Sequence, residues 1–150
     1  MENANSRFDP SQGIDQLGSL LIGIYDQYEN WAKSKGLNYT VFAILYFVYY
    51  REQCTQSDIC AFWGFAKQTV STQCNELLDQ GQINRRRKIL TLTEQGRAYA
   101  RPFVEPVRTA ETAAFQSLGE ELGRKLVEGT EKFYSALTAA LTGSDKDKAV

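Results

Sequence analysis

Apolar residues recur along this chain with a changing period, and the changes mark its elements. Ile14, Leu17, Leu21, Ile24, Tyr28 and Trp31 follow at alternating steps of three and four, which draws a seam down one face of a helix. Asp9-Pro10 is a helix start, with the carboxylate as N-cap and the imino acid at the first helical position, and Lys35-Gly36 is a stop. One helix cannot bury that seam. It packs either on a partner chain or within its own protomer. From Tyr39 to Tyr50 the residues are apolar almost without interruption, with Asn38 as a cap in front of them. So long a run without alternation favours a helix buried on most sides over a strand, despite its β-branched and aromatic residues. Leu122, Leu126, Phe133, Leu137 and Leu141 line one face of a last helix over 120–141, with Glu120 and Glu121 at its positive end.

Between these long elements the pattern shortens. Thr55 and Asp58 have capping-box spacing ahead of Ile59, Cys60, Phe62 and Trp63, and Gly64 fits the left-handed stop of a short helix. A second helix starting near Ala66 places Val70, Cys74, Leu77 and Leu78 on one stripe and ends at Gly81. Its other face carries Gln68, Thr72, Asn75, Glu76 and Asp79, flanked by Lys67 and Ser71. A short amphipathic helix faced with amides and hydroxyls suits hydrogen bonding to base edges in a major groove. Then come two strand-like runs, 82–85 and 89–92, around Arg85-Arg86-Arg87-Lys88, with Glu52–Thr55 as a candidate third strand beside them. Helix, turn, helix and basic hairpin make a winged helix-turn-helix. The fold class is therefore mainly α with a small β-hairpin wing, flanked by N- and C-terminal helices.

After the wing, Thr93 caps a helix beginning at Glu94. Pro102 and Pro106 each remove a backbone hydrogen bond from it, so a bend or break is expected near 101–106. Leu118-Gly119 is a turn. The polar ends, 1–7 and 143–150, are expected to be disordered.

Composition narrows the function. The 150 residues carry a net charge of −1, so no global basic signature points to nucleic acid. The charge is segregated, however. From Cys54 to Leu92 five basic residues face three acidic ones, leaving −3 for the remainder. Histidine is absent, which excludes a histidine-based dyad or triad. The three cysteines, Cys54, Cys60 and Cys74, form no CxxC, so zinc and disulfide frameworks lack their ligands. No cofactor is expected. The polar N-terminus and the shortness of the longest apolar run predict a cytoplasmic chain with no membrane partner.

The stretch Thr-Gln-Ser-Asp-Ile at 55–59, Lys67-x-Thr69-Val70-Ser71, Glu76-Leu77-Leu78-x-x-Gly81 and Leu92-Thr93-Glu94-Gln95-Gly96 resembles, in order and spacing, the MarR (multiple-antibiotic-resistance regulator) family of bacterial transcription factors. That resemblance implies one protomer over 1–150, with dimerisation helices at 9–36 and 94–142 and a DNA-binding lobe at 38–92. It also implies a cleft between the dimerisation and reading parts where small aromatic acids or phenols bind. The chain departs from the family pattern in three ways. Thr72 and Glu76 stand where arginines are usual, Ala66 replaces a capping hydroxyl, and the wing is short and lacks an Asp-x-Arg tip.

The expected DNA-binding residues are thus Lys67, Gln68, Thr69, Ser71, Thr72 and Asn75 on the helix, with Arg85, Arg86, Arg87 and Lys88 on the wing. The bland alternatives are a solvated helix face and a solvated hairpin tip. Tyr25, Tyr28, Trp31, Tyr46 and Arg51 are candidate contacts for a small aromatic or phenolic effector, though aromatics at helical spacing are more often core. The cysteines fall on apolar or junction positions, which favours inert core thiols over an oxidant sensor. The expected protein is not an enzyme but a homodimeric, ligand-responsive repressor that binds a pseudo-palindromic duplex. The rival is a winged-helix dimer that binds a small molecule or protein and has weak or lost DNA binding.

Overall fold

The computed structural model describes residues 8–143, so the expected disorder of 1–7 and 144–150 lies outside the described residues. The chain forms two compact units, Met1–Glu105 and Pro106–Val150.

In the first unit, α1 (Pro10–Ser34) opens with the Asp9 carboxylate accepting from the Ser11 amide at 2.9 Å, and Gly36 at φ +71° takes the chain out of it. Asn38 then accepts from the Thr40 amide at 2.8 Å to cap α2 (Tyr39–Arg51). Phe42 through Tyr49 are all buried, so α2 is enclosed on every side, as its unbroken apolar run requires. Glu52, at φ +65° and ψ −42°, turns the chain and delivers it into β1 (Gln53–Thr55).

Next come α3 (Gln56–Trp63), α4 (Lys67–Asp79), β2 (Ile83–Arg86) and β3 (Ile89–Leu92). The strands form an antiparallel sheet in the order β1-β3-β2, with Cys54 opposite Leu90 and Ile83 opposite Leu92. On the inner face of the sheet Cys54, Leu90 and Ile83 are buried, and α3 and α4 add Ile59, Val70, Cys74 and Leu77 to the same core. Burying each of the larger of these side chains is worth about 1.5–3 kcal/mol, so this set holds the lobe together.

α5 (Glu94–Ser117) starts against the hairpin. Thr93 Oγ1 accepts from the Gly96 amide at 2.8 Å and donates to the Gly81 carbonyl at 2.7 Å. A Cβ on Gly96 would lie 1.7 Å from the Gln82 carbonyl oxygen, so only glycine lets the helix approach the chain there. Farther along, Trp31 Nε1 donates to the Phe103 carbonyl at 2.9 Å and Tyr49 Oη donates to Glu105, tying α5 to α1 and α2.

Of the bend or break expected at 101–106 the break does not occur, for α5 is helical without interruption from 94 to 117. Pro102 and Pro106 lie four residues apart, and both are exposed. The carbonyls they leave without partners therefore face water, while Ala100 and Val104 stay packed on the inner face.

In the second unit the remainder of α5 is followed by Gly119 at φ +73° and α6 (Gly119–Gly143). Gly143, assigned to the tail on sequence, is the last residue of that helix. Gly123 is buried, and a Cβ there would come within 3.2 Å of the Phe115 ring. Among the described residues no helix is long and apolar enough to cross a membrane.

Candidate nucleic-acid interface

The capping box read from Thr55 and Asp58 is present. Thr55 Oγ1 accepts from the Asp58 amide at 3.1 Å, and the Asp58 carboxylate accepts from the Thr55 amide at 2.7 Å. That hydrogen bond, with the nearby Arg51 as a smaller contributor, holds the Asp58 carboxyl below the usual carboxylate range. Gly64 at φ +70° then ends α3 and, with Phe65 and Ala66, makes the three-residue turn into α4.

Burial of Val70, Cys74 and Leu77 fixes the rotation of α4. Its outward face consequently presents Lys67, Gln68, Thr69, Thr72 and Asn75, all exposed, with Ser71 half-buried on the flank. Ala66, in the N-cap position, makes no side-chain hydrogen bond, so the first-turn amides of α4 are left without the usual hydroxyl acceptor. Glu76 and Asp79 lie exposed toward the other end.

The wing is as short as its spacing suggests. Arg86 pairs with Ile89, which leaves a two-residue loop, Arg87-Lys88. Such loops place a left-handed residue at the tip, normally glycine, asparagine or aspartate, and Arg87 occupies that conformation at φ +58°. Arg85, Arg86, Arg87 and Lys88 are all exposed. Arg85 Nη1 donates to Asn75 Oδ1 at 3.4 Å, so the wing and the outward face of α4 meet directly.

The candidate effector residues do not converge on one point. Tyr25 stands edge-on to Tyr39 at 4.9 Å, while Tyr39 and Tyr46 stand edge-on to Trp63 at 6.2 and 6.3 Å. Burial pushes the Tyr39 phenol upward, and the neighbouring Tyr25 and Tyr28 reinforce the effect. Trp31 is turned to α5 instead, with Lys35 over its ring at 4.4 Å. Arg51 lies over Phe47 at 5.4 Å, in a separate cleft of about 470 Å³ shared with Cys54, Asp58 and Phe62. Tyr25, Tyr28 and Tyr46 thus gather round Tyr39 and Trp63, and Trp31 and Arg51 stand apart.

Two of the three thiols, Cys54 and Cys74, are unsuited to sensing. Burial raises Cys54 to about 12 and Cys74 to about 11, which keeps both in the unreactive protonated form, and only Cys60 is partly accessible. Among the described residues no group of three His, Cys, Asp or Glu side chains is placed to hold a metal ion.

Sequence reading missed the outer face of the small sheet. β1 pairs with β3 so that Gln53 lies opposite Thr91, and Thr91 lies opposite Asn84 on the other side. No single strand carries that row. The signal was the alternation within 53–55, which is too short to fix a register without its partner.

Residues 35–88 match the model of the MarR family, and the fold is that family's winged helix-turn-helix. A MarR family regulator from Neisseria meningitidis is similar over 88% of this chain and 98% of its own, with 29% identity and a TM-score of 0.76. A Mycobacterium tuberculosis MarR family protein in complex with DNA covers 78% of this chain and 96% of its own, at 23% identity and a TM-score of 0.54. NadR in complex with 4-hydroxyphenylacetate covers 86% and 99% at 18% identity and a TM-score of 0.59. The last two show likeness of fold alone. No curated protein matches the chain.

Proposed function

We propose that this chain is a DNA-binding transcriptional regulator, a repressor that binds a pseudo-palindromic duplex as a homodimer and answers to a small aromatic or phenolic ligand. One observation carries the DNA reading. The exposed amide and hydroxyl face of α4 adjoins an arginine-rich hairpin, and Arg85 bridges the two. Neutral amides and hydroxyls read base edges while guanidiniums neutralise phosphates, and the two kinds of group are set side by side here. Solution of a fold neighbour with DNA supports the same reading.

The dimer rests on the apolar faces of α1 and α6. Ile14, Leu21 and Ile24 on the first, and Leu122, Leu126, Leu137 and Leu141 on the second, are all exposed in the single chain. Apolar faces of that length are ordinarily covered, and a symmetric partner is the cover we propose for each. Half-sites then lie about one helical turn apart. The aromatic group around Tyr39 and Trp63, next to the turn that leads into α4, supports the effector.

The test is a titration of the chain against genomic duplex fragments at low and moderate salt. Saturable binding that weakens with salt is expected, and a folded protein that binds no fragment at low salt refutes the reading. Exposed Glu76 and Asp79 on α4 favour the rival, a winged helix that binds a small molecule or protein with DNA binding weak or lost. That outcome would leave the rival standing. For the effector, phenols and aromatic carboxylates should raise Tm by mass action and weaken DNA binding.

A further inference from the structure

The outer face of the three-stranded sheet has a chemistry of its own. Cross-strand pairing places Gln53, Thr91 and Asn84 in one row, one from each strand. The next row on the same face holds Ile89 and Arg86, which are paired directly. Strands lie about 4.8 Å apart, so the row extends about 10 Å across the sheet. With Arg85 and Arg87, these residues line a concave surface of about 790 Å³. Every lining side chain is an arginine, an amide, a threonine or an isoleucine, and none is acidic. In a chain with more acidic than basic residues, that is a segregated surface. None of the three polar side chains in the row is buried, and Ile89 is 39% exposed.

We infer that this outer sheet face is a second contact surface for duplex DNA, which seats the phosphate backbone flanking the segment met by α4 and the wing tip. The inference rests on the DNA-binding reading above and extends it from the wing arginines, which the two surfaces share, to Gln53, Asn84, Thr91 and Ile89. Amide and hydroxyl side chains are common donors to phosphate and sugar, and they fix register on the duplex without reading sequence. A row of three neutral donors beside three guanidiniums fits a backbone that is anionic along its length. Ile89 supplies an apolar patch for the deoxyribose edge. The surface also offers compensation for a short wing, because it widens the contact where the hairpin tip cannot lengthen it. Gln53 and Asn84 act as positioning residues in this arrangement. Their loss should affect all sequences alike.

The test uses charge at constant shape. The double variant Gln53→Glu, Asn84→Asp adds two carboxylates on exposed positions, and a control variant, Gln27→Glu, Asn30→Asp, adds the same charge on α1. Both should melt with the wild type by circular dichroism. Each is titrated at low and moderate salt against a mixed-sequence duplex pool of about 40 base pairs, long enough for two half-sites and their flanks. The sheet variant should bind about tenfold more weakly at low salt than the control, with the gap narrowing as salt rises. Its hydroxyl-radical footprint on a selected fragment should lose the outermost protections and keep the central ones. A folded sheet variant that binds as the control does, or that loses central and flanking protection equally, overturns the inference while the DNA-binding reading stands. A wild-type chain that binds no duplex at low salt overturns both.

Discussion

α2 and α6 are both rich in large apolar side chains, and they fare oppositely. Eight consecutive residues of α2, Phe42 to Tyr49, are buried, whereas Gly123 is the buried residue of α6 and its leucines stand exposed. The difference lies in what surrounds each helix. α2 is covered on all sides by elements of its own unit, so its apolar surface contributes directly to the stability of the single chain. α6 has an apolar stripe with a polar back, in which Glu120–Arg124 and Glu121–Lys125 pair at the surface and contribute only about 0.3–0.5 kcal/mol each. Apolar content alone therefore does not say where stability resides. The arrangement of apolar residues around the helix does, since an all-round pattern asks for a core and a stripe asks for a partner.

The sharpest way to break the α2 side is at its supports. Gly96→Ala places a methyl carbon 1.7 Å from the Gln82 carbonyl, a clash with backbone that no rotamer relieves. We expect a loss of about 4 kcal/mol or more, read as a collapse of the urea midpoint. A midpoint near wild type would show that α5 can withdraw from the hairpin without cost. Phe42→Ala, at a position 1% exposed, should cost about 3–5 kcal/mol through lost burial and the cavity left behind.

The α6 side should respond in the other way. Leu126→Ala and Leu137→Ala, at positions 47% and 45% exposed, should change the unfolding of the isolated chain by less than about 1 kcal/mol and yet weaken self-association. Light scattering across a dilution series measures this. A large stability loss with unchanged association would mean the stripe belongs to the protomer.

The sequence reading succeeded where local chemistry decides. The caps at Asp9, Asn38 and Thr55, the stop at Gly36, the left-handed exit at Gly64, the turn at Gly119 and the short wing all lie where side-chain spacing placed them. It failed where the outcome depends on what lies across space. Pro102 and Pro106 predicted a bend or a break, and the break is absent: their exposure on one side and the packing of Ala100 and Val104 on the other keep the helix continuous. Arg51 was grouped with the tyrosines as an effector contact, but it lies one helical turn after Phe47 on α2 and stacks over that ring, in a cleft shared with Phe62. The outer sheet face was invisible because register is a property of three strands together.

Smaller effects refine the comparison. Thr55→Ala removes the α3 cap and should cost about 1 kcal/mol. Because the Asp58 carboxyl is held below its ordinary 3.8, its contribution is present above that pH and fades as pH falls further, and Asp58→Asn should flatten that acid limb of stability. The cysteines act at the opposite end. Cys54 and Cys74 stay protonated in the fold to about 12 and about 11 from an ordinary 9.0, so stability should decline as pH rises through that window. At neutral pH iodoacetamide should label Cys60 alone in the native protein, and rapid labelling of Cys54 or Cys74 would show that the core opens.

The most direct test of the account is a salt titration of DNA binding with the wing neutralised. Wild type and the triple variant Arg85→Ala, Arg86→Ala, Arg87→Ala would be measured on the same genomic fragments across a range of salt. The account predicts weaker binding of the variant to every fragment and a shallower salt slope, by about one counterion for each phosphate contact removed. Equal affinity and an equal slope in the two proteins would contradict it, because the arginines of the wing would then have no phosphate to meet.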